Sequence, residues 1–196
     1  MYFTEKGVDV NTPDANGVTP LFNALDANQP GVVGWLLSHG ADVKHKTQNG
    51  DTALHYAVLS DNEELFKQII PSVISSVNGA NTAGTTPIMN AAMIGNLPVI
   101  KAFLTLGAKL SDTDREGNSV LHYGVLSNKK EVVEFLLSKD PDINKVNNAG
   151  ETPYMIADKN KFGSITELLA PKPKPQDEPA ETQQPATGET PAENNT

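Results

Sequence analysis

One short pattern recurs five times along this chain: Gly17-Val18-Thr19-Pro20-Leu21-Phe22, Gly50-Asp51-Thr52-Ala53-Leu54-His55, Gly84-Thr85-Thr86-Pro87-Ile88-Met89, Gly117-Asn118-Ser119-Val120-Leu121-His122 and Gly150-Glu151-Thr152-Pro153-Tyr154-Met155. The Thr/Ser positions, 19, 52, 86, 119 and 152, are spaced by 33, 34, 33 and 33 residues. Self-similarity at such a period points to stacked units, each of which buries its apolar side only against its neighbours.

Each copy carries its own folding instructions. Thr or Ser stands where a helix N-cap belongs, and Pro in the next position occupies the first helical site, where its missing N–H costs nothing. A small residue follows (Ala24, Ala57, Ala91, Gly124, Ala157) and lets two antiparallel helices approach closely. Next come apolar segments such as 32–37 and 132–137, then a turn: Gly40-Ala41-Asp42-Val43, Gly107-Ala108-Lys109-Leu110 or Asp140-Pro141-Asp142-Ile143. Gly40 and Gly107 can adopt the left-handed conformation that ends a helix. The pattern predicts first helices over 20–27, 53–60, 87–94, 120–127 and 153–160, and second helices over 30–39, 63–73, 97–106, 130–138 and 163–169. The 34-residue copy has its extra residue between His55 and Ile74, reads Ile74-Ser75-Ser76 where Gly-Ala-Asp is expected, and places Pro71 near its helix end. A local distortion is expected there.

These copies resemble the ankyrin repeat, whose signature is Gly, one residue, Thr-Pro-Leu-His, a later Val-Val-x-Leu-Leu, and Gly-Ala-Asp-x-Asn. The resemblance implies an all-α repeat solenoid of helix-turn-helix pairs linked by hairpin-like loops, with five repeats over 14–170 and a partial repeat over 1–13. Gly7-Val8-Asp9-Val10-Asn11 matches the turn that ends a repeat, so Tyr2–Lys6 reads as the end of a second helix lacking its partner. Half a repeat is a poor polar cap. Further sequence upstream of Met1, part of a repeat and an export signal, is therefore expected, with an irregular natural start as the alternative. The polar last copy, with Lys159, Asn160 and Lys161 between its helices, reads as the C-terminal cap.

Residues 171–196 contain no aromatic and no branched aliphatic residue. Such a segment cannot bury enough apolar surface to offset its ordering entropy and is read as a disordered tail. Its Pro-Lys-Pro-Lys-Pro run, 171–175, reads as a solvated linker ahead of a polyproline II ligand, since nothing apolar flanks it.

Charge and composition exclude several function classes. Residues 1–170 hold 13 Lys plus Arg against 19 Asp plus Glu, 13 − 19 = −6, and the tail adds 2 − 5 = −3. An acidic protein repels phosphates, so neither nucleic acid nor an anionic membrane surface is an expected partner. No apolar run reaches the length of a membrane span. Without cysteine there is no disulfide or thiol chemistry, and no indication of compartment.

Candidate catalytic groups are few. His55 and His122 each precede a tyrosine, and the resemblance implies that such histidines tie their own loop to the neighbouring one. His39, Asp42 and His45 flank one turn, but two imidazoles and one carboxylate fall short of a four-coordinate structural site. No nucleophile elbow, phosphate loop or H-E-x-x-H is present. No catalytic, cofactor or metal site is expected.

The resemblance implies a cupped array whose concave face is built from loop tips and first helices. The residues expected there are Tyr56, Leu59, Asn90, Met93, Tyr123 and Leu126 from the helices of the middle copies, with Asp51, Arg115 and Glu116 from the loops. Contiguous exposed apolar side chains with a polar rim mark interaction sites, and aromatic residues are frequent hot spots. The competing reading is that helix tilt buries part of each side chain against the next repeat. Trp35 is expected to pack between repeats. The expected partner is a folded protein, such as a peptidase or another enzyme, met by a chain that is monomeric when free. A likeness in style to bacterial ankyrin-repeat self-protection proteins implies inhibition in the periplasm; the alternative is a cytoplasmic scaffold.

Overall fold

The structure, a computed structural model, describes residues 9–60 and 62–171. The chain before Asp9, Asp61 and the tail after Pro171 lie outside the described residues, and with them most of the partial repeat and the Pro-rich segment. Among the described residues ten α-helices form five antiparallel pairs: α1 (Pro20–Asp26) with α2 (Pro30–Ser38), α3 (Ala53–Leu59) with α4 (Glu63–Val73), α5 (Pro87–Ile94) with α6 (Leu97–Thr105), α7 (Val120–Leu126) with α8 (Lys130–Leu137), and α9 (Pro153–Lys159) with α10 (Gly163–Leu169). Among the described residues the only β-pairing is an isolated bridge between Thr113 and Ser119. The fold is an all-α repeat solenoid.

Why these segments are helices follows from their ends. Thr19, Thr52, Thr86, Ser119 and Thr152 take extended N-cap conformations, with Pro at the first helical position in α1, α5 and α9. Gly40 and Gly107 close α2 and α6 in the left-handed conformation, and the next amides, of Ala41 and Ala108, donate back to the Leu36 and Phe103 carbonyls at 3.0 and 2.9 Å. The fourth copy has no glycine at this point, and Asp140 takes the positive φ in its place.

The second copy departs as its sequence predicts. Helix α4 carries Pro71 inside its last turn and runs on into a single 3₁₀ turn over Ile74–Ser76. With proline lacking an N–H and no glycine available to close the helix, the backbone tightens instead of reversing.

Small residues set the packing. Ala57, Ala91, Ala157 and Gly124 are buried where first and second helices cross, and a Cβ added to Gly124 would lie 2.6 Å from Leu136 Cδ1. Leu21, Leu54, Ile88 and Leu121 form a continuous buried row along the first helices, with Val33, Leu65, Val99, Ile100, Phe103 and Leu136 from the second helices behind it. Successive first helices pack on one another from α1 to α9, whereas second helices of neighbouring repeats meet more sparsely. The stack is therefore tighter along the first helices, and that side is the inner, concave one.

Candidate functional site

The hairpin loops are built from one repeated device that sequence reasoning missed. At the residue three before each glycine stands a short polar side chain that caps its own turn. Asp14 Oδ1 accepts the amides of Asn16 and Val18, Asn81 Oδ1 those of Ala83 and Thr85, Asp114 Oδ1 those of Glu116 and Asn118, and Asn147 Oδ1 those of Ala149 and Glu151, at 2.7–3.0 Å. Asx side chains mimic a backbone turn in this way. The signal was present, since Asp or Asn recurs at this position in four of the five copies.

Each hairpin is then tied to the one before it. The amides of Gln48, Thr82, Arg115 and Asn148 donate to the carbonyls of Asn16, Asn49, Ala83 and Glu116 at 2.8–3.0 Å. The glycine makes this approach possible. Gly84 has φ +81, and a Cβ there would stand 2.8 Å from the Arg115 nitrogen. Loop-tip side chains reinforce the same ties, among them Asp51, a residue expected on the rim: Asn81 Nδ2 donates to Asp51 Oδ1 at 2.7 Å, Asn147 Nδ2 to Asn118 Oδ1 at 2.8 Å, and Asn148 Nδ2 to the Arg115 carbonyl at 2.9 Å.

His55 and His122 complete the framework from below. The Thr52 amide donates to His55 Nδ1 at 3.1 Å, so that nitrogen is bare and Nε2 carries the proton, which it donates to the Thr85 carbonyl at 2.9 Å. His122 repeats the arrangement with the Ser119 amide at 3.1 Å and the Glu151 carbonyl at 3.2 Å. Burial lowers the pKa of both rings against the opposing effect of these carbonyls. Both are neutral ties between loops, as the resemblance implies. Where Phe22 stands in place of the histidine, the ring cannot accept, and Thr19 Oγ1 is buried without a hydrogen-bond partner among the described residues.

His39 and His45 do not converge. His39 stacks on Trp35 with ring centroids 3.9 Å apart, while His45 Nε2 contacts the Gly17 carbonyl at 2.7 Å. Trp35 is half-buried, packed against the core as expected. Among the described residues no group of three or more His, Cys, Asp or Glu is arranged to hold a metal ion.

Along the inner helices the expected stripe divides into three classes. Leu59, Met93 and Leu126, at one register in α3, α5 and α7, are 48%, 40% and 47% exposed. Tyr56 and Tyr123 are half-buried. Tyr56 meets Phe22 edge-on at 4.9 Å, and Tyr123 Oη donates to Asp114 Oδ2 at 2.6 Å. Burial raises both phenols, with Asp51, Asp26 and Asp14 adding to the effect at Tyr56; burial and then the Asp114 hydrogen bond push Tyr123 up to about 12. Asn90 is a correction. It shares the register of the two tyrosines but is only 7% exposed, because its short side chain ends below the surface between α3 and α7. Arg115 and Glu116 are exposed at the tip of the fourth hairpin, and Asp51 is half-buried and engaged by Asn81.

An array of helix pairs with interlocked hairpins and an apolar stripe on its inner side defines a repeat solenoid of the binding kind. The chain belongs to the ankyrin-repeat family: the family model "Ankyrin repeats (3 copies)" matches residues 1–78 and 60–147. It is 34% identical over 119 residues to the putative ankyrin repeat protein FPV223 of fowlpox virus, covering 60% of this chain and 82% of that one. It is 28% identical over 157 residues to the phosphocholine transferase AnkX of Legionella pneumophila, 78% of this chain but 16% of that protein. With L-asparaginase of Dirofilaria immitis it shares 30% identity over 156 residues, 79% of this chain and 26% of the relative. The chain thus spans a minor part of these two larger relatives. Ankyrin repeats are protein–protein interaction modules and a non-catalytic fold, and no helix among the described residues is long and apolar enough to cross a membrane.

Proposed function

We propose that this chain binds a folded protein partner through its concave face, with Leu59, Met93 and Leu126 as the apolar centre, Tyr56 and Tyr123 as anchors, and Arg115 and Glu116 on the rim. The observation that carries this reading is the repetition of exposure. One exposed leucine is ordinary on a protein surface, but three large apolar side chains left open at the same register of three consecutive repeats form a contiguous patch. The anchors are preorganised by Phe22 and Asp114, which reduces the side-chain entropy lost on association.

The test begins with capture of the partner by the full chain and its identification by mass spectrometry. Replacing Leu59, Met93 and Leu126 together with alanine then removes the patch without touching the loop framework. Affinity should fall at least about a hundredfold, on the usual cost of truncating clustered hot spots. Affinity equal to that of the parent chain sinks the proposal.

Two modes suit such a contact. Occlusion of an enzyme, as in self-protection against a periplasmic peptidase, requires the concave face to cover the partner's catalytic groove. Scaffolding in the cytoplasm leaves that groove free, and it is favoured by the relatives in which the matched repeats are a minor part of a larger transferase or asparaginase. Assay of the captured partner's activity with and without the chain separates the two.

A further inference from the structure

The concave face is apolar at its centre, and the charges around it are mostly carboxylates, with Arg115 and Lys159 as cations. Asp14, Asp26 and Asp51 stand near enough to Tyr56, and Asp114 and Glu116 to Tyr123, to raise the two phenols. The ion pairs among the described residues are Lys67–Glu63, Lys130–Glu134 and Lys159–Glu151, so none of these five carboxylates has a cationic partner within the fold. Lys159 lies at the register of Leu59 and Leu126, but Glu151 holds it at 2.7 Å. Between the third and fourth hairpins an open recess of about 410 Å³ is lined by Thr82, Thr85, Asp114, Glu116 and Tyr123, with Arg115 as its single cation.

Carboxylates left without a counter-charge beside an apolar stripe favour one class of partner. They raise the local concentration of cationic surfaces, speed their encounter and repel acidic ones. We propose that the partner is a protein that presents lysine or arginine side chains around an apolar ridge, the ridge lying on Leu59, Met93 and Leu126 and one cationic side chain entering the recess beside Tyr123. This inference rests on the concave-face reading above. It assigns the partner's chemistry.

A defined probe tests it: a naive displayed library of a small helical scaffold with unbiased surface positions, selected on the full chain. Binders lost on the Leu59→Ala, Met93→Ala, Leu126→Ala variant should be enriched in Lys and Arg. Their association rate should fall at least about tenfold as salt rises from about 0.05 to about 0.5 M, because screening shortens the reach of exposed charges. The Asp26→Asn, Glu116→Gln variant, which removes two exposed charges outside the turn-capping set, should show a similar loss at low salt with unchanged circular dichroism. Binders that need the apolar patch but are neutral or acidic, or that associate at a salt-independent rate, overturn the inference and leave the concave-face reading standing. Binders indifferent to the triple alanine variant overturn the concave-face reading itself.

Discussion

Tyr123 Oη donates to Asp114 Oδ2 at 2.6 Å, joining the inner helix of the fourth repeat to the side chain that caps the same repeat's hairpin. Asp114 also accepts the Glu116 and Asn118 amides on its other oxygen, so one carboxylate fixes both an anchor of the proposed surface and the loop that carries Arg115.

Tyr123→Phe should therefore cost about 1.5–3 kcal/mol, the range for a hydrogen bond to a charged group, measured by urea denaturation at neutral pH. The variant also lacks this raised phenol ionisation. In the parent protein the phenol is raised to about 12, so stability falls as pH climbs from about 10, where the unfolded chain ionises, through the folded value. Spectrophotometric titration should show a phenolate step at about 12 in the parent protein that the variant lacks.

Acid should act through the histidine ties. His55 and His122 are held below their ordinary pKa, so the unfolded chain takes up protons first. Stability is fully present above about pH 6.5 and is lost as pH falls from there through the folded values. His122→Gln should lower the urea midpoint at neutral pH and flatten this acid dependence, since one of the two groups responsible is gone. A variant with the parent's slope between neutral and mildly acidic pH would show that the ties do not report on folding.

Two glycines separate conformational strain from steric contact. Gly40→Ala meets only the cost of a left-handed alanine, about 1–2 kcal/mol, because nothing lies within 4 Å of its added Cβ. Gly84→Ala carries the same conformational cost and also crowds the Arg115 nitrogen at 2.8 Å. It should be the more destabilising of the two in thermal melts.

Gly34 offers the opposite sign. It lies inside α2 with nothing within 4 Å of an added Cβ and has no positive φ. Gly34→Ala should stabilise the chain by about 0.5–1 kcal/mol, read from the denaturation midpoint.

Helix positions were legible in the sequence because N-cap residues, first-position prolines and closing glycines are local signals. Every predicted first and second helix lies within one residue of its observed ends. The distortion after Pro71 was legible for the same reason. The site was only partly so. Tyr56, Asn90 and Tyr123 share one register, yet the tyrosines are half-buried and Asn90 is buried, because exposure at that position depends on side-chain length relative to the flanking repeats. Asp51 reads as a rim residue in the sequence, and nothing there marks Asn118 and Asn148 as bonded side chains. Their engagement with the neighbouring hairpin depends on stacking distance, which periodicity does not encode.

The four amide-to-carbonyl links between successive hairpins have a further consequence. Because each junction is closed by the same bond at nearly the same length, the hairpins beside Tyr56 and Tyr123 are joined through two links of one kind. On the concave-face reading proposed above, such spacing makes the inner surface a ruler that selects by size. A partner whose own features recur at a different pitch would meet one anchor and miss the other.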